Sequence, residues 1–307
     1  MQSTREILRK VRQIEIRTNR LVTDALTGAY HSVFKGQGMD FEEVREYAPG
    51  DDVRAIDWNV TAKMDRPFIK QFREERELTI MLMVDLSASG DFGSASESKR
   101  ELAAEIASVL AFSATKNNDK VGLMLFTDEI EQFIPPRKGR QHVLRVIREI
   151  LFHQPRRTGT DVVKALDTVN RMMKRKAIVF LLTDFLQGPD GRLPDPIEKT
   201  GDALFRALAL TNRRHDLTTV LLSDPRELTL PDIGLITLED AETGQLVELD
   251  TSSSKVRQLY ARSNRERLSG LHRGLRQSGV GALPVATGEP YVNNLRRYFE
   301  SRGQRRH

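Results

Sequence analysis

The 307-residue chain contains no cysteine. That removes disulfides, thiolate metal sites, iron–sulfur clusters and cysteine nucleophiles together, and it fits a reducing compartment. Long hydrophobic runs are missing too: apolar stretches such as TIMLMVDL and AIVFLLTDF fall far short of the about 20 residues that a membrane helix needs. The first residues, MQSTREILRKVRQIEIRTNRLV, are charged throughout and lack the apolar centre of a signal peptide. A soluble cytoplasmic protein is the expectation. No GxxxxGK[ST] phosphate loop occurs, so ATP binding of the P-loop kind is not expected.

What charge there is lies unevenly. Residues 255–307 carry 12 Lys and Arg against 3 Glu, a balance of +9, which leaves −4 for the rest of a chain whose net charge is +5. Such asymmetry can mark contact with nucleic acid or an acidic partner. The aromatic interleaving of a single-strand binder is absent, however, with only Tyr260, Tyr291, Tyr298 and Phe299 in that region. Nucleic-acid binding through the basic tail is therefore a minor alternative.

The order of elements follows from periodicity. Residues 5 to 26 space Ile7, Val11, Ile14, Leu21 and Val22 as an amphipathic helix that packs on the main domain. Short extended pieces follow around YAPGDD, whose Pro49-Gly50 suits a type II turn, and RPFIKQFREERELTIMLMVDL reads as an edge strand or hairpin feeding a strand buried on both faces. The only tryptophan, Trp58, is expected to anchor this extension, with Asp51, Asp52 and Asp57 pairing with Arg54 and other arginines. Beyond it, helical and strand patterns alternate to residue 300. That alternation predicts an α/β, doubly wound, mostly parallel sheet over residues 76–301, with residues 1–75 as a helix and β extension. In such folds ligands sit beyond the carboxyl ends of the strands.

Two strands end in aspartate: Asp85 in MVDLSAS and Asp184 in LLTDF. Ser87 and Ser89 follow Asp85 at alternate positions, and Thr160 opens a helix in TGTDV. Each residue alone has an ordinary structural reading as a turn or helix cap. Together they offer carboxylates and hydroxyls, without histidine, at one rim. An all-oxygen set suits a hard ion such as Mg²⁺ or Mn²⁺.

DLSAS, a threonine in TGTDV and the aspartate of LLTDF resemble the metal-ion-dependent adhesion site of von Willebrand factor A domains. The upstream segment GQGMDFEEVREYAPGDDVRAIDWNVTAKMDRPFIKQFREE resembles a bacterial family of unknown function that accompanies MoxR-type AAA+ ATPases. The resemblance runs from about residue 30 to 250. It implies that Ser87, Ser89 and Thr160 offer hydroxyls to a Mg²⁺ or Mn²⁺ ion, that Asp85 and Asp184 act directly or through water, and that the sixth position is left to a partner's carboxylate. Two features depart from that pattern: Gly90 follows the second serine where many such domains carry a large residue, and Thr158 and Thr127 compete with Thr160 for the threonine role.

The rival class is a Mg²⁺-dependent phosphohydrolase using a strand-end aspartate as nucleophile. Enzymes of the haloacid dehalogenase kind need a second aspartate two residues on, and that position is Ser87, which cannot do acid–base work. No Ser/His/Asp order suggests a triad, since His153 and His215 fall near helix ends. The expectation is a non-enzymatic interaction protein with a von Willebrand A-like domain, an adaptor or chaperone-like partner of a MoxR-type ATPase.

Overall fold

A computed structural model describes residues 11–16, 18, 40–64, 66–73, 77–94, 97–186, 199–241 and 244–304. β1 (Asp40–Glu46) and β2 (Phe68–Arg73) form an antiparallel two-stranded sheet, with the short helix α1 (Trp58–Met64) between them in sequence. The main domain then runs β3 (Thr79–Asp85), α2 (Lys99–Lys116), β4 (Lys120–Phe126), β5 (Ile130–Arg137), α3 (Arg140–Phe152), α4 (Val162–Met172), β6 (Ile178–Thr183), α5 (Lys199–Arg214), β7 (Asp216–Ser223) and α6 (Pro225–Leu228). A hairpin of β8 (Leu235–Glu239) and β9 (Leu246–Asp250), then α7 (Ser254–Gln277), β10 (Gly281–Ala286) and α8 (Val292–Gln304), complete it.

Six strands form the central sheet in the order β10-β7-β6-β3-β4-β5, all parallel except β5. The continuous apolar runs are explained by burial on both faces, with neighbouring residues taking opposite sides. Ile80, Leu82 and Val84 of β3 join one core with Leu123, Phe180 and the interior of α2, whereas Met81 and Met83 join the other with Met124, Val179 and Leu181. Val11 is buried in the first core and Ile14 packs against it, so the described part of the N-terminal helix docks there. Glu15 accepts from Arg140 at 2.7 Å beside it. The expected helix over residues 5 to 26 otherwise lies outside the described residues.

α2 is buried on almost every side from Lys99 to Ala114. Its Ala and Ser residues allow the close approach that larger side chains would prevent. A capping box starts it, the Ser98 hydroxyl accepting the Glu101 amide and Glu101 accepting the Ser98 amide.

One expectation needs correction. Trp58 does not anchor the extension: it is 66% exposed, while Ile69 is 5% exposed. Asp57 caps α1 by accepting the Asn59 and Val60 amides, and this leaves the indole at the first helical position pointing outward. The neighbouring acids do pair with arginines, Asp51 accepting two bonds from Arg45 at 2.8 and 2.9 Å and Asp52 lying 3.5 Å from Arg54. The expected edge strand or hairpin is the antiparallel pair of β2 with β1; β2 also makes a single bridge to Ile56 and leads on in sequence to the buried β3. The antiparallel strand β5 is an addition: Pro135 and Pro136 argue against a strand, yet at the sheet edge their missing N–H groups cost little.

α7 crosses α5 over Gly274, where an added methyl would lie 2.1 Å from ring atoms of Phe205. Gly274→Ala should therefore lower stability to chemical denaturation by about 1–3 kcal/mol, the usual cost of overpacking. Adding Phe205→Leu should recover part of that loss if the clash is its origin.

Candidate functional site

The parallel register sets Val84 opposite Leu182, so β3 and β6 end side by side and their aspartates emerge at one rim. Asp85 is 6% exposed and Asp184 9%. Both carboxylates are aimed by short local bonds. Asp85 accepts the Ser87 amide at 2.9 Å through Oδ1 and the Thr183 hydroxyl at 2.6 Å through Oδ2. Asp184 accepts the Leu186 amide at 2.9 Å through Oδ1 and the Ser89 hydroxyl at 2.8 Å through Oδ2. Between them Phe185 has φ 54°, a left-handed conformation that costs a non-glycine residue about 1 kcal/mol or more. Its ring is fully buried and its amide donates to Thr183 Oγ1 at 3.1 Å, which holds the turn in place.

Ser87 and Ser89 are 3% and 8% exposed, with Oγ atoms 3.0 Å apart. In the loop that carries them the Gly90 amide donates to the Ser87 carbonyl at 2.9 Å in a short 3₁₀ turn. The loop before α4 joins the rim through the Ala88 amide, which donates to the Thr158 carbonyl, and through the Asp161 amide, which donates to the Thr127 carbonyl. Asp161 caps α4 by accepting the Lys164 amide at 2.9 Å. Thr160 sits beside it, half-buried, while Thr158 is exposed. Thr127 Oγ1 is committed elsewhere, donating to Glu131 at 3.0 Å.

A cation absent from the sequence reading completes the arrangement. Lys99, the first residue of α2, is 0% exposed, and its Nζ donates to Asp184 Oδ2 at 2.6 Å and to Glu227 Oε1 of α6 at 2.5 Å. Burial works against its charge, but Asp184 and Glu227 outweigh it and hold the ammonium above the ordinary lysine range. Burial pushes Glu227 above the usual carboxylate range, with Lys99 offsetting only part of that. Arg267 of α7 lies within the field of Asp184 and Glu227, and its Nε and Nη1 are shielded from solvent without a hydrogen-bond partner. Behind Glu227, Asp224 accepts the Ser94 amide and hydroxyl and the Thr287 hydroxyl, tying the β3 loop to the ends of β7 and β10.

The oxygen geometry can be tested against an ion. Mg²⁺ bonds of 2.0–2.1 Å put adjacent octahedral oxygens about 2.9 Å apart. The Ser87–Ser89 and Ser89–Asp184 separations of 3.0 and 2.8 Å are hydrogen-bond lengths that are also compatible with that edge. Ser87, Ser89, Asp85 and Asp184 therefore could hold a hard divalent ion, with Thr160 on the adjoining loop. Among the described residues no three acidic or imidazole side chains converge as a metal set, so this is a hydroxyl-rich site or none.

Fold and rim define a doubly wound α/β domain with an oxygen-lined cluster at the strand ends. Residues 43–269 match the family described as "Protein of unknown function DUF58", and the chain belongs to it. The uncharacterized protein Rv1480 of Mycobacterium tuberculosis is 30% identical over 294 residues, 95% of this chain and 88% of that protein. YeaD of Bacillus subtilis, also described as uncharacterized, is 24% identical over 64% of this chain and 43% of its own length. Solved structures similar to this one include BatB from Bacteroides thetaiotaomicron, with 14% identity, 74% of this chain and 99% of that chain covered, and a TM-score of 0.45. Another is the SpRpn10 VWA domain, at 11% identity, 72% and 94% coverage and a TM-score of 0.37. Among the described residues no helix is long and apolar enough to cross a membrane.

Burial, then the charge of Asp184, pushes the Asp85 carboxyl up to about 6. Because this lies above the unfolded value of about 4, the group favours folding fully below about pH 4, and that contribution is lost as pH rises through about 6. Asp85→Asn should thus raise the stability of the EDTA-treated protein at pH 8 relative to wild type. The gain should shrink as pH falls from 6 towards 4 in denaturation curves.

Proposed function

We propose that this chain is a non-catalytic, von Willebrand A-like protein-interaction module that docks an acidic partner through a divalent ion held at the ends of β3 and β6. The observation that carries this reading is the convergence of the Ser87 and Ser89 hydroxyls with the Asp85 and Asp184 carboxylates at one buried rim. Ser87 and Ser89 would bind through neutral hydroxyls and Thr160 would add a third. Asp85, fixed by Thr183 and the Ser87 amide, and Asp184 would supply the negative charge. When bound, the ion supplies Lewis acidity that attracts a carboxylate from another protein. A MoxR-type AAA+ ATPase, or its client, is the partner suggested by the upstream segment's resemblance.

The non-enzymatic reading rests on Ser87. Its hydroxyl stands where a strand-end phosphohydrolase needs a second carboxylate, and it is engaged with Ser89. Phosphatase assays with Mg²⁺ should give no turnover that depends on Asp85.

Calorimetry with Mg²⁺ and Mn²⁺ tests the site. The wild-type chain should bind one ion, and Ser87→Ala combined with Ser89→Ala should weaken binding at least 100-fold with little change in unfolding temperature. An unchanged isotherm in the double variant would overturn the assignment. Pull-downs should likewise lose an acidic partner in EDTA, whereas association carried by the basic C-terminal region would weaken with salt and ignore EDTA.

A further inference from the structure

Lys99 occupies a costly position. It is fully buried, and it sits at the first residue of a long helix, where the positive end of the helix dipole opposes a cation. Both penalties are met by Asp184 and Glu227 at 2.6 and 2.5 Å. The oxygen it takes from Asp184 is Oδ2, the same atom that receives the Ser89 hydroxyl and forms one edge of the oxygen set. An ion bonded to that oxygen at 2.0–2.1 Å would stand no more than about 4.7 Å from the ammonium, which carries like charge.

We infer that Lys99 is the resident counter-cation of the site, a lysine that neutralises Asp184 when no divalent ion is present and competes with that ion for Asp184 Oδ2. The inference rests on the metal-binding reading above and assigns its regulation. Two properties follow. The fold does not require metal, because Asp184 and Glu227 already have a cation. Ion affinity is set low, so occupancy follows the supply of ion and of an acidic partner rather than being permanent. Charge counting agrees: Asp184 and Glu227 face Lys99 and Arg267, and Asp85 lies beside Asp184, so the carboxylates and cations nearly cancel and a divalent ion adds positive charge that a partner carboxylate would balance.

Removing the ammonium should change the ion from optional to structural. Lys99→Met keeps the length of the side chain and deletes its charge, leaving Asp184 and Glu227 for the ion. Calorimetric titration with Mn²⁺ and thermal unfolding with and without EDTA are to be run on wild type and variant. The unfolding temperature of wild type should fall only slightly in EDTA. The variant should bind Mn²⁺ at least tenfold more tightly and lose several degrees in EDTA. Should Lys99→Met alone not fold, Lys99→Met with Glu227→Gln removes the excess charge and should still bind more tightly than wild type.

Equal or weaker Mn²⁺ binding in the folded variant would overturn the role of Lys99 and leave the metal site standing. No binding in either protein would remove the metal reading, and the competition with it. Binding seen only in the variant would support the inference in its strongest form.

Discussion

Two carboxylates at the ends of neighbouring parallel strands must be kept apart from solvent and still be neutralised. The register of β3 on β6 delivers Asp85 and Asp184 side by side, and the twofold-covered sheet seals them from most of the water that would otherwise solvate their charge. Everything around the rim answers that constraint. Backbone amides of Ser87 and Leu186 take one oxygen of each carboxylate, hydroxyls of Thr183 and Ser89 take the other, and Lys99 supplies the charge. α2 can place that lysine only because its own length is small-residued and buried against the sheet.

A buried ion pair of this kind contributes little net stability, since removing two charges from water costs about what their attraction returns. Its value lies in geometry. Lys99 connects the start of α2, the end of β6 and the turn after β7, and Asp224 extends the same wiring to the loop at Ser94 and to Thr287 beyond β10. A change of charge at Asp184 would therefore be felt at three strand ends together.

Most of the main domain was legible in the sequence. The apolar runs at 79–85, 120–126 and 178–183 could be assigned to buried parallel strands, and the polar residues that end them marked the rim. Lys99 and Glu227 escaped because lysine in a helix and glutamate in a short turn are ordinary on any surface, and only three-dimensional packing shows that one is sealed. A signal was available: the run from Leu102 to Ala114 is mostly apolar or small, which marks the helix that Lys99 heads as a buried one. Thr183, adjacent to Asp184, was hidden by its place inside a strand. β5 was missed because its two prolines obey a rule that holds for interior strands and lapses at an edge. Trp58 was misjudged because aromatic size was allowed to outweigh its position just after a capping aspartate, at the outward start of a helix of about two turns.

The central claim is that the hydroxyls of Ser87 and Ser89 and the carboxylates of Asp85 and Asp184 form a divalent-ion site. Crystals soaked in Mn²⁺ and measured for anomalous scattering test it directly. The account predicts one strong peak within about 2.5 Å of both serine Oγ atoms, bonded or water-linked to the two aspartates. An empty rim in crystals whose surface carboxylates hold Mn²⁺, with Lys99 still bridging Asp184 and Glu227, would contradict it.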